Sequence, residues 1–385
     1  MSRKRIGVLT GGGDVPGLNS AIKSVVWNLA DDFEILGLRR GWSALLHLQP
    51  ENAANHDRWV VPLERANTRT IDRTGGTILH SSRANPAIVP VDRIPGHLEG
   101  SGDGRSSHVD LTADAIRSIE HLRLEGIVAI GGDGTLQFAA RLHREGVPVV
   151  AIPKTMDNDV NGTDYCIGFS TAITRSVHLI NDLRTAAGSN ERILVVELFG
   201  RYSGETCLLT SYVSGVDRAV IAEVEFDPER LLAYLLADKA ENPRNYAVVA
   251  ISEGARPVGG AMVETGEPDD VGRAKLGGIG GVVRDFIERN SRERVIYQQL
   301  GYLMRSGSPD SLDQIVANTF GTVAANLVRR GESGSMVAVR DGKYAAVPVE
   351  LVTRGQKRVD VDKFYNPVQY RPRVTDPEGL PMFLY

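Results

Sequence analysis

Short apolar segments that stop abruptly at glycine or acidic residues constrain the fold of this chain more than any other feature. Three of them run into the strings GGGD, GGDGT and PKTMDND, and two more run into FGRYSG and SEGAR. They span residues 5–10, 126–130, 147–152, 193–198 and 246–251. Each has the length and composition of a buried strand. Such strands alternating with helical segments are typical of parallel sheets, so an α/β fold is predicted.

A helix is predicted after the first of these strands. Ile22, Val25, Val26 and Leu29 follow Pro16 at the spacing i, i+3, i+4 and i+7, which places them on one buried face. In open parallel sheets, ligands bind beyond the carboxyl ends of the strands. The glycines and carboxylates that follow the predicted strands therefore form the candidate site.

The length of the chain indicates several lobes. At roughly 150 residues per domain, 385 residues predict two or three of them. No linker-like stretch marks a boundary, which indicates lobes that exchange chain segments. Residues 92–110 are rich in glycine, serine and charge, and they are predicted to form an exposed insertion.

Charge and cysteine content exclude several classes of protein. The net charge of −4 comes without any basic block, which argues against a nucleic-acid partner. Cys166 and Cys207 provide neither a disulfide framework nor a paired-cysteine metal site. No apolar stretch reaches the roughly 18 residues of a membrane span. We therefore expect a cytoplasmic protein without a membrane partner.

The string GGDGT at residues 131–135 is the strongest local signal. Its glycines allow the backbone to approach a phosphate, and the N–H groups of a following helix attract anions. Asp133 would then offer a hard oxygen to Mg²⁺. The alternative is a tight strand-to-helix turn in which Asp133 caps the helix. The same string occurs in NAD kinases and diacylglycerol kinases, so it indicates a phosphoryl donor and leaves the acceptor open.

Two further strings follow predicted strands. GGGDVPGLN at residues 11–19 matches neither the dinucleotide-binding nor the Walker pattern, but three consecutive glycines favour a second phosphate-facing backbone. In PKTMDND, Asp157 and Asp159 are two residues apart, and in an extended stretch both would face one substrate hydroxyl. One carboxylate is then expected to act as a general base and the other to orient the hydroxyl or hold a metal through water. An Asx-rich turn is the alternative.

These three strings, together with ELFGRYSG at residues 197–204, resemble the phosphofructokinase family, from Ile6 to at least Pro309. The resemblance implies two interleaved, doubly wound lobes with mainly parallel sheets. It implies that residues 1–168 plus about 304–355 bind the donor ATP and Mg²⁺, and that 169–303 plus about 356–385 bind the sugar phosphate. The implied reaction transfers a phosphoryl group from ATP to the 1-hydroxyl of fructose 6-phosphate.

The resemblance also implies roles for individual residues. Asp133 holds the metal, Asp157 is the base, and Arg201 stabilises the transferring phosphoryl group, with Lys154 and Thr155 beside them. The residues expected to bind the donor are Gly12, Arg83, Gly132, Asp133, Gly134 and Thr135. Those expected to bind the sugar phosphate are Thr155, Asp157, Asp159, Arg192, Phe199, Gly200, Arg201, Glu253, Tyr302 and Arg305. Phe199 stands where many members have methionine, and Tyr302 where many have histidine.

The choice of donor rests on three positions. Pyrophosphate users of this family generally carry aspartate at the position of Gly134, and the combination of Gly134 with Lys154 resembles the ATP users. Phe138, by contrast, stands at a position that is small in typical ATP users. We expect it to lie off the buried stripe of its helix, where it would cover the site or stack on adenine. ATP is the predicted donor, and pyrophosphate is the alternative.

Arg192 resembles an arginine that this family sends into the sugar-phosphate pocket of a neighbouring subunit. A homodimer or homotetramer with shared active sites is therefore expected. The alternative is an edge-strand charge that discourages aggregation. No phosphate-binding role is assigned to Arg294, because the segment from Arg294 to Arg305 has extra residues relative to the usual spacing in the family. Two other functions stay open: a kinase of another sugar phosphate, and a catalytically silent regulatory member.

Overall fold

The computed structural model describes residues 3–98, 106–264, 276–374 and 378. Its strands, in chain order β1 to β15, are Lys4–Gly11, Phe33–Leu38, Val60–Leu63, Val89–Pro90, His108–Val109, Leu124–Gly131, Val149–Pro153, Ile193–Leu198, Arg218–Val220, Ala247–Ser252, Val295–Gln299, Ser335–Arg340, Lys343–Pro348, Tyr365–Asn366 and Arg371–Pro372. Its α-helices, α1 to α11, are Leu18–Leu29, Ser43–His47, Ala53–Trp59, Thr112–Leu122, Asp133–Arg144, Phe169–Ser189, Glu205–Ser214, Pro228–Glu241, Ile279–Asn290, Ser311–Arg329 and Val361–Phe364. Short 3₁₀ turns span Ile71–Arg73, Val91–Arg93, Gly96–Leu98, Gly301–Arg305 and Val349–Arg354.

Two sheets carry the main strands. The first has seven strands in the order β13-β12-β7-β6-β1-β2-β3, with antiparallel pairing only where β13 and β3 join its edges. The second has four parallel strands in the order β11-β8-β10-β9. The predicted α/β fold is confirmed, and the five predicted strands are β1, β6, β7, β8 and β10.

Both faces of the first sheet are covered by helices. On one face, α1 packs with α10, and the predicted stripe of Ile22, Val25, Val26 and Leu29 is fully buried. On the other face, Leu9, Ile127 and Ala129 of the sheet pack against residues of α4 and α5. The helices therefore leave only the ends of the strands open to ligands.

Phe138 corrects the sequence-based expectation for α5. Its side chain is 1% exposed and packs edge-on against Trp42, with ring centroids 5.0 Å apart. The prediction that Phe138 leaves the buried stripe was wrong, because α5 is buried on two sides. Leu136 and Ala140 belong to one apolar cluster, whereas Phe138 and Leu142 belong to another.

The chain passes between the sheets more than once. It leaves the first sheet through α6, builds the second sheet, and returns through α10 to β12 and β13. It then crosses again, where the Ala219 N–H of β9 donates to the Tyr370 carbonyl at 2.8 Å. The lobes are thus interleaved, as the resemblance implies. Their exact residue limits stay a prediction.

The flanks of the predicted insertion form a short antiparallel pair, β4 with β5. Most described residues of 92–110 are exposed, and residues 99–105 lie outside the described part of the chain. Among the described helices, none combines the length and apolarity needed to cross a membrane.

Candidate active site

Three loops meet at the carboxyl edge of the first sheet, after β1, β6 and β7. The Lys154 Nζ, which follows β7, donates to the Gly13 carbonyl at 2.5 Å. A Cβ on Gly12 would lie 3.0 Å from this Nζ and 3.9 Å from the backbone N of Gly132. Gly12 also has a φ of 83°, a conformation that favours glycine. The two glycine loops and Lys154 therefore surround one small volume.

Positive charge concentrates at this volume. Lys154 is only 3% exposed. Burial, followed by the nearby charges of Arg305 and Arg83, lowers the pKa of Lys154 to about 8. Like charges so close together suit a polyanion such as a polyphosphate, because guanidinium and ammonium groups form their strongest hydrogen bonds with phosphate oxygens.

Asp133 begins α5 directly after the second glycine loop. Its Oδ2 accepts a hydrogen bond from Gln137 at 2.9 Å. Thr135 is buried beneath the loops, and a Cβ on Gly131 would lie 2.3 Å from the Thr135 Cβ. Gly134 adds no side chain to the first turn. Within the residues that the structure describes, no cluster of three or more His, Cys, Asp or Glu side chains forms a ready-made metal site.

The loop after Lys154 is not extended, which corrects a second expectation. Asn158 has a φ of 53°, in the left-handed region that Asn tolerates better than most residues. Its side chain turns inward, where it donates to the Asp164 carbonyl and to Glu205 Oε1, each at 2.9 Å. Asp157 and Asp159 nevertheless remain close enough to interact, since the negative charge of Asp159 contributes to the raised pKa of Asp157.

Asp157 has the surroundings of a general base. Burial, and next the charge of Asp159, raise its pKa to about 7. Its Oδ1 is enclosed and has no hydrogen-bond partner among the described residues, while the backbone N–H of Arg201 faces the carboxylate. Burial and the charge of Asp133 also raise the pKa of Asp159. A carboxylate whose pKa lies close to neutrality is well matched to proton abstraction at physiological pH.

The second sheet brings its own strand ends to the same place. Glu253, after β10, is buried, and its backbone N–H donates to the Leu198 carbonyl of β8 at 2.8 Å. Burial, followed by the charge of Asp157, raises the pKa of Glu253 to about 8. Gly200 has a φ of 141°, and a Cβ there would lie 2.5 Å from Ser252 Oγ. Only glycine therefore fits at the turn that leads to Arg201.

Arg305 connects the two sides of the site. Its guanidinium lies 4.4 Å from the ring centroid of Tyr302 and 5.6 Å from that of Phe199. It also pairs with Asp14 of the first glycine loop at 3.6 Å. Tyr302 itself is 70% exposed. The predicted sugar-side residues Phe199, Tyr302 and Arg305 thus form one group that borders the donor side.

Arg192 is not part of this group. It immediately precedes β8, whereas Phe199 and Arg201 follow that strand, so Arg192 lies at the opposite edge of the second sheet. Arg294 precedes the neighbouring β11, and its carbonyl accepts from the Ile193 N–H at 3.2 Å. The fold therefore places Arg192 beside Arg294, and brings neither to the site of its own chain.

A cavity of about 290 Å³ lies beside α5. Its lining residues are Asn85, Ala87, Gln137, Phe138, Arg141, Arg144 and Thr353. Gln137 joins this cavity to the candidate site, because the same side chain donates to Asp133. Phe138 forms part of the wall while its ring remains packed on Trp42.

Comparisons with known proteins agree with this geometry. The family model described as phosphofructokinase matches residues 5–328. A pyrophosphate–fructose 6-phosphate 1-phosphotransferase of Dictyoglomus thermophilum is 36% identical over 372 residues, which make up 96% of this chain and 99% of that protein. An ATP-dependent 6-phosphofructokinase of Chloroflexus aurantiacus is 33% identical over 348 residues, or 90% of each chain.

The chain belongs to the phosphofructokinase family.

The solved phosphofructokinase of Saccharomyces cerevisiae shares the fold, with a TM-score of 0.72 at 20% identity. The alignment covers 91% of this chain and 45% of the yeast chain. The two relatives described above differ in the phosphoryl donor that their names give. Family membership therefore establishes the phosphofructokinase fold and the class of enzyme, and leaves the donor to be argued from the site.

The family resemblance did not predict every residue that shapes this candidate site. Asn158 and Glu205 are fully buried behind the Asp157 loop, where Glu205 also pairs with the partly exposed Lys357. Glu205 directly follows the FGRYSG string, so its position was a usable signal. Lys357 is about two hundred residues from the loop in sequence, and no local pattern links the two.

Proposed function

We propose that this phosphofructokinase transfers the terminal phosphoryl group of ATP to the 1-hydroxyl of fructose 6-phosphate, which gives fructose 1,6-bisphosphate. One observation carries the proposal. Asp157, a carboxylate with a pKa near neutrality, lies between the cationic donor side around Lys154 and the acidic sugar side at Glu253. This arrangement suits an anionic donor that meets an alcohol at a general base.

In this proposal, Asp157 accepts the proton of the attacking hydroxyl as the new O–P bond forms. Glu253 accepts a hydrogen bond from the sugar. Arg201, whose backbone N–H already faces Asp157, stabilises the negative charge on the transferring group. Lys154 and Arg83 bind the donor phosphates. Arg305, stacked on Tyr302, binds the 6-phosphate of the sugar.

The residues at the donor side fit Mg²⁺. This ion usually binds through one or two carboxylates and keeps several waters, so it does not require a cluster of acidic side chains. Asp133 would hold it, and Asp159 is close enough to Asp133 for the two charges to interact. The ion supplies positive charge that neutralises the donor phosphates.

Two features favour ATP over pyrophosphate. Gly134 leaves room for an α-phosphate, which an aspartate there would repel. The cavity beside α5 extends the donor side beyond Gln137, and its volume is close to the lower end of known small-molecule sites, about 300 Å³. Phe138 does not close this cavity, because its ring is fixed against Trp42.

The position of Arg192 supports a shared active site. Because it lies at the edge of the second sheet opposite the site, it can contribute to sugar-phosphate binding only in another subunit. We therefore propose a homodimer or homotetramer in which Arg192 completes the pocket of a neighbour.

An assay of the purified protein tests the proposed reaction. Fructose 6-phosphate and Mg²⁺ are supplied with either ATP or pyrophosphate, and the bisphosphate formed is measured directly. The expected result is a higher kcat/KM with ATP. Preference for pyrophosphate would overturn the donor assignment, and turnover only with other sugar phosphates would overturn the acceptor. If the substrates bind but neither donor supports turnover, the alternative of a catalytically silent regulatory member of the family would be favoured.

A further inference from the structure

Asn158 occupies an unusual place between the two catalytic-site carboxylates. Its side chain is completely buried, and its backbone is left-handed. The side-chain amide makes three hydrogen bonds: it donates to the Asp164 carbonyl and Glu205 Oε1, and it accepts from the Cys166 N–H at 2.8 Å. Because neighbouring side chains diverge at such a turn, the inward direction of Asn158 determines where Asp157 and Asp159 point.

Among the residues that the structure describes, Glu205 is the charged side chain that contacts the Asn158 amide. It is fully buried as the first residue of α7. Its second oxygen, Oε2, lies 3.2 Å from Lys357 Nζ, and the backbone N–H of Lys357 donates to the Asp159 carbonyl at 2.9 Å. Glu205 is therefore connected to both ends of the carboxylate loop, to one end through Asn158 and to the other through Lys357.

The surroundings of Glu205 hold this arrangement in place. Glu223 accepts from the Gly204 N–H just before α7 and from the Val359 N–H at 3.0 Å. Residues 356–359, here called the strap, thus join the Asp157 loop to the start of α7. The charges of Lys357 and Glu223 act on the Glu205 carboxylate. The charge of Arg358 acts in turn on Glu223.

We propose that Glu205 is a positioning residue that holds the left-handed turn at Asn158, and thereby aims Asp157 and Asp159 at the acceptor hydroxyl. The proposal rests on the function proposed above. Glu205 does not touch substrate, because it is fully buried behind the loop. A buried ion pair contributes little net stability, but removing one partner leaves the other charge uncompensated. The ion pair of Glu205 with Lys357 therefore contributes more to the position of the Asp157 loop than to the free energy of unfolding.

The central test compares two isosteric substitutions of buried, ion-paired carboxylates. Glu205→Gln keeps the size of the side chain and weakens its contact with Lys357. The matched control, Asp238→Asn, weakens the ion pairs with Arg218 and Arg371, neither of which contacts Asn158, Glu205 or Lys357 in the described part of the chain. Because a displacement of about 1 Å at a reacting group can cost roughly 100-fold in rate, we expect Glu205→Gln to lower kcat by about 10- to 100-fold. The KM for either substrate should change less than threefold, and the control should keep its kcat.

A second variant separates positioning from general destabilisation. Glycine adopts a positive φ without strain, so Asn158→Gly should lose less activity than Asn158→Ala. Asn158→Gly removes the contact with Glu205 that Glu205→Gln weakens, so the effects of the two substitutions on kcat should not add. All variants are assayed well below their measured Tm. Additive effects, or an unchanged kcat in Glu205→Gln, would overturn the proposal.

Hydrogen exchange gives a readout that does not depend on activity. The Cys166 amide donates to Asn158, so its protection should fall in Glu205→Gln and stay unchanged in Asp238→Asn. Equal protection in both variants would refute the positioning role. A wild-type protein that is inactive with both donors would refute the proposed function instead, and the exchange measurement would still decide the structural role of Glu205.

Discussion

Replacing Arg192 by alanine tests whether the active site is shared between subunits. The six residues of β8 lie between Arg192 and Phe199, so the two are about 23 Å apart along the strand at about 3.3 Å per residue. An arginine side chain cannot span this distance within one chain. If Arg192 binds sugar phosphate, it must do so in a neighbouring subunit.

The expected effect follows from the charge that is lost. Truncating one partner of a buried, hydrogen-bonded charge pair costs at least about 2 kcal/mol, which corresponds to a rise of roughly 30-fold or more in the KM for fructose 6-phosphate. The KM for the donor should hardly change, because the donor residues belong to the other sheet. Arg292→Ala, which removes an exposed arginine from the same edge, is the matched control and should leave both KM values unchanged.

Mixing two disabled variants makes the test decisive. Asp157→Asn removes the base and Arg192→Ala removes the guanidinium. In a dimer with one subunit of each variant, one pocket therefore carries both substitutions and the other pocket carries neither. Random exchange between dimers should restore about a quarter of wild-type activity, since half of the dimers are hybrids with one working pocket each. Absence of recovery despite hybrids proven by native mass spectrometry, or a monomer in sedimentation, would refute the shared site.

Three further predictions concern the chemistry and the donor. Asp157→Asn should lower kcat by roughly two to four decades with a much smaller change in sugar affinity, and near-normal turnover would contradict its role as base. Because the pKa of Asp157 is raised to about 7, wild-type kcat should increase as the pH rises through this value. In Asp159→Asn a negative neighbour is gone, so the rise should occur at lower pH; an unmoved or upward-shifted pH profile would argue against the coupling. Gly134→Asp should reduce kcat/KM for ATP much more than for pyrophosphate, and an equal loss with both donors would remove the support that Gly134 gives to ATP.

The sequence was sufficient for the strands and the loops that follow them, because both depend on local composition. An apolar run that ends at glycine specifies a buried strand and a backbone that a phosphate can approach, whatever lies elsewhere in the chain. The position of Lys154 and Asp157 beside the two glycine loops then follows from the rule that parallel strands end at a common edge, whereas Glu253 reaches them from the second sheet.

Two features depended on tertiary context and were missed. Phe138 is buried because α5 packs on two sides, and a single helical stripe cannot show that a second face is covered. The turn at Asn158 depends on Glu205 and on Lys357, which come from distant parts of the chain. The spacing of Asp157 and Asp159 alone suggested an extended stretch, since period-two spacing carries no information about a left-handed residue between them.

The distribution of charge explains why the proposed active site lies between the two sheets. The cations that face the donor are fixed mainly by the first sheet, through Lys154, whereas Glu253 and Arg201 are fixed by the second. Asp157 lies in the loop after β7 of the first sheet. Its carboxylate accepts a hydrogen bond from the backbone N–H of Arg201, which follows β8 of the second sheet. The position of the base relative to both substrates therefore depends on the contact between the sheets. The strap at residues 356–359 reinforces that contact by binding the Asp159 carbonyl from one side and Glu223 from the other. A change in the strap should accordingly lower kcat while each half of the site still binds its own substrate.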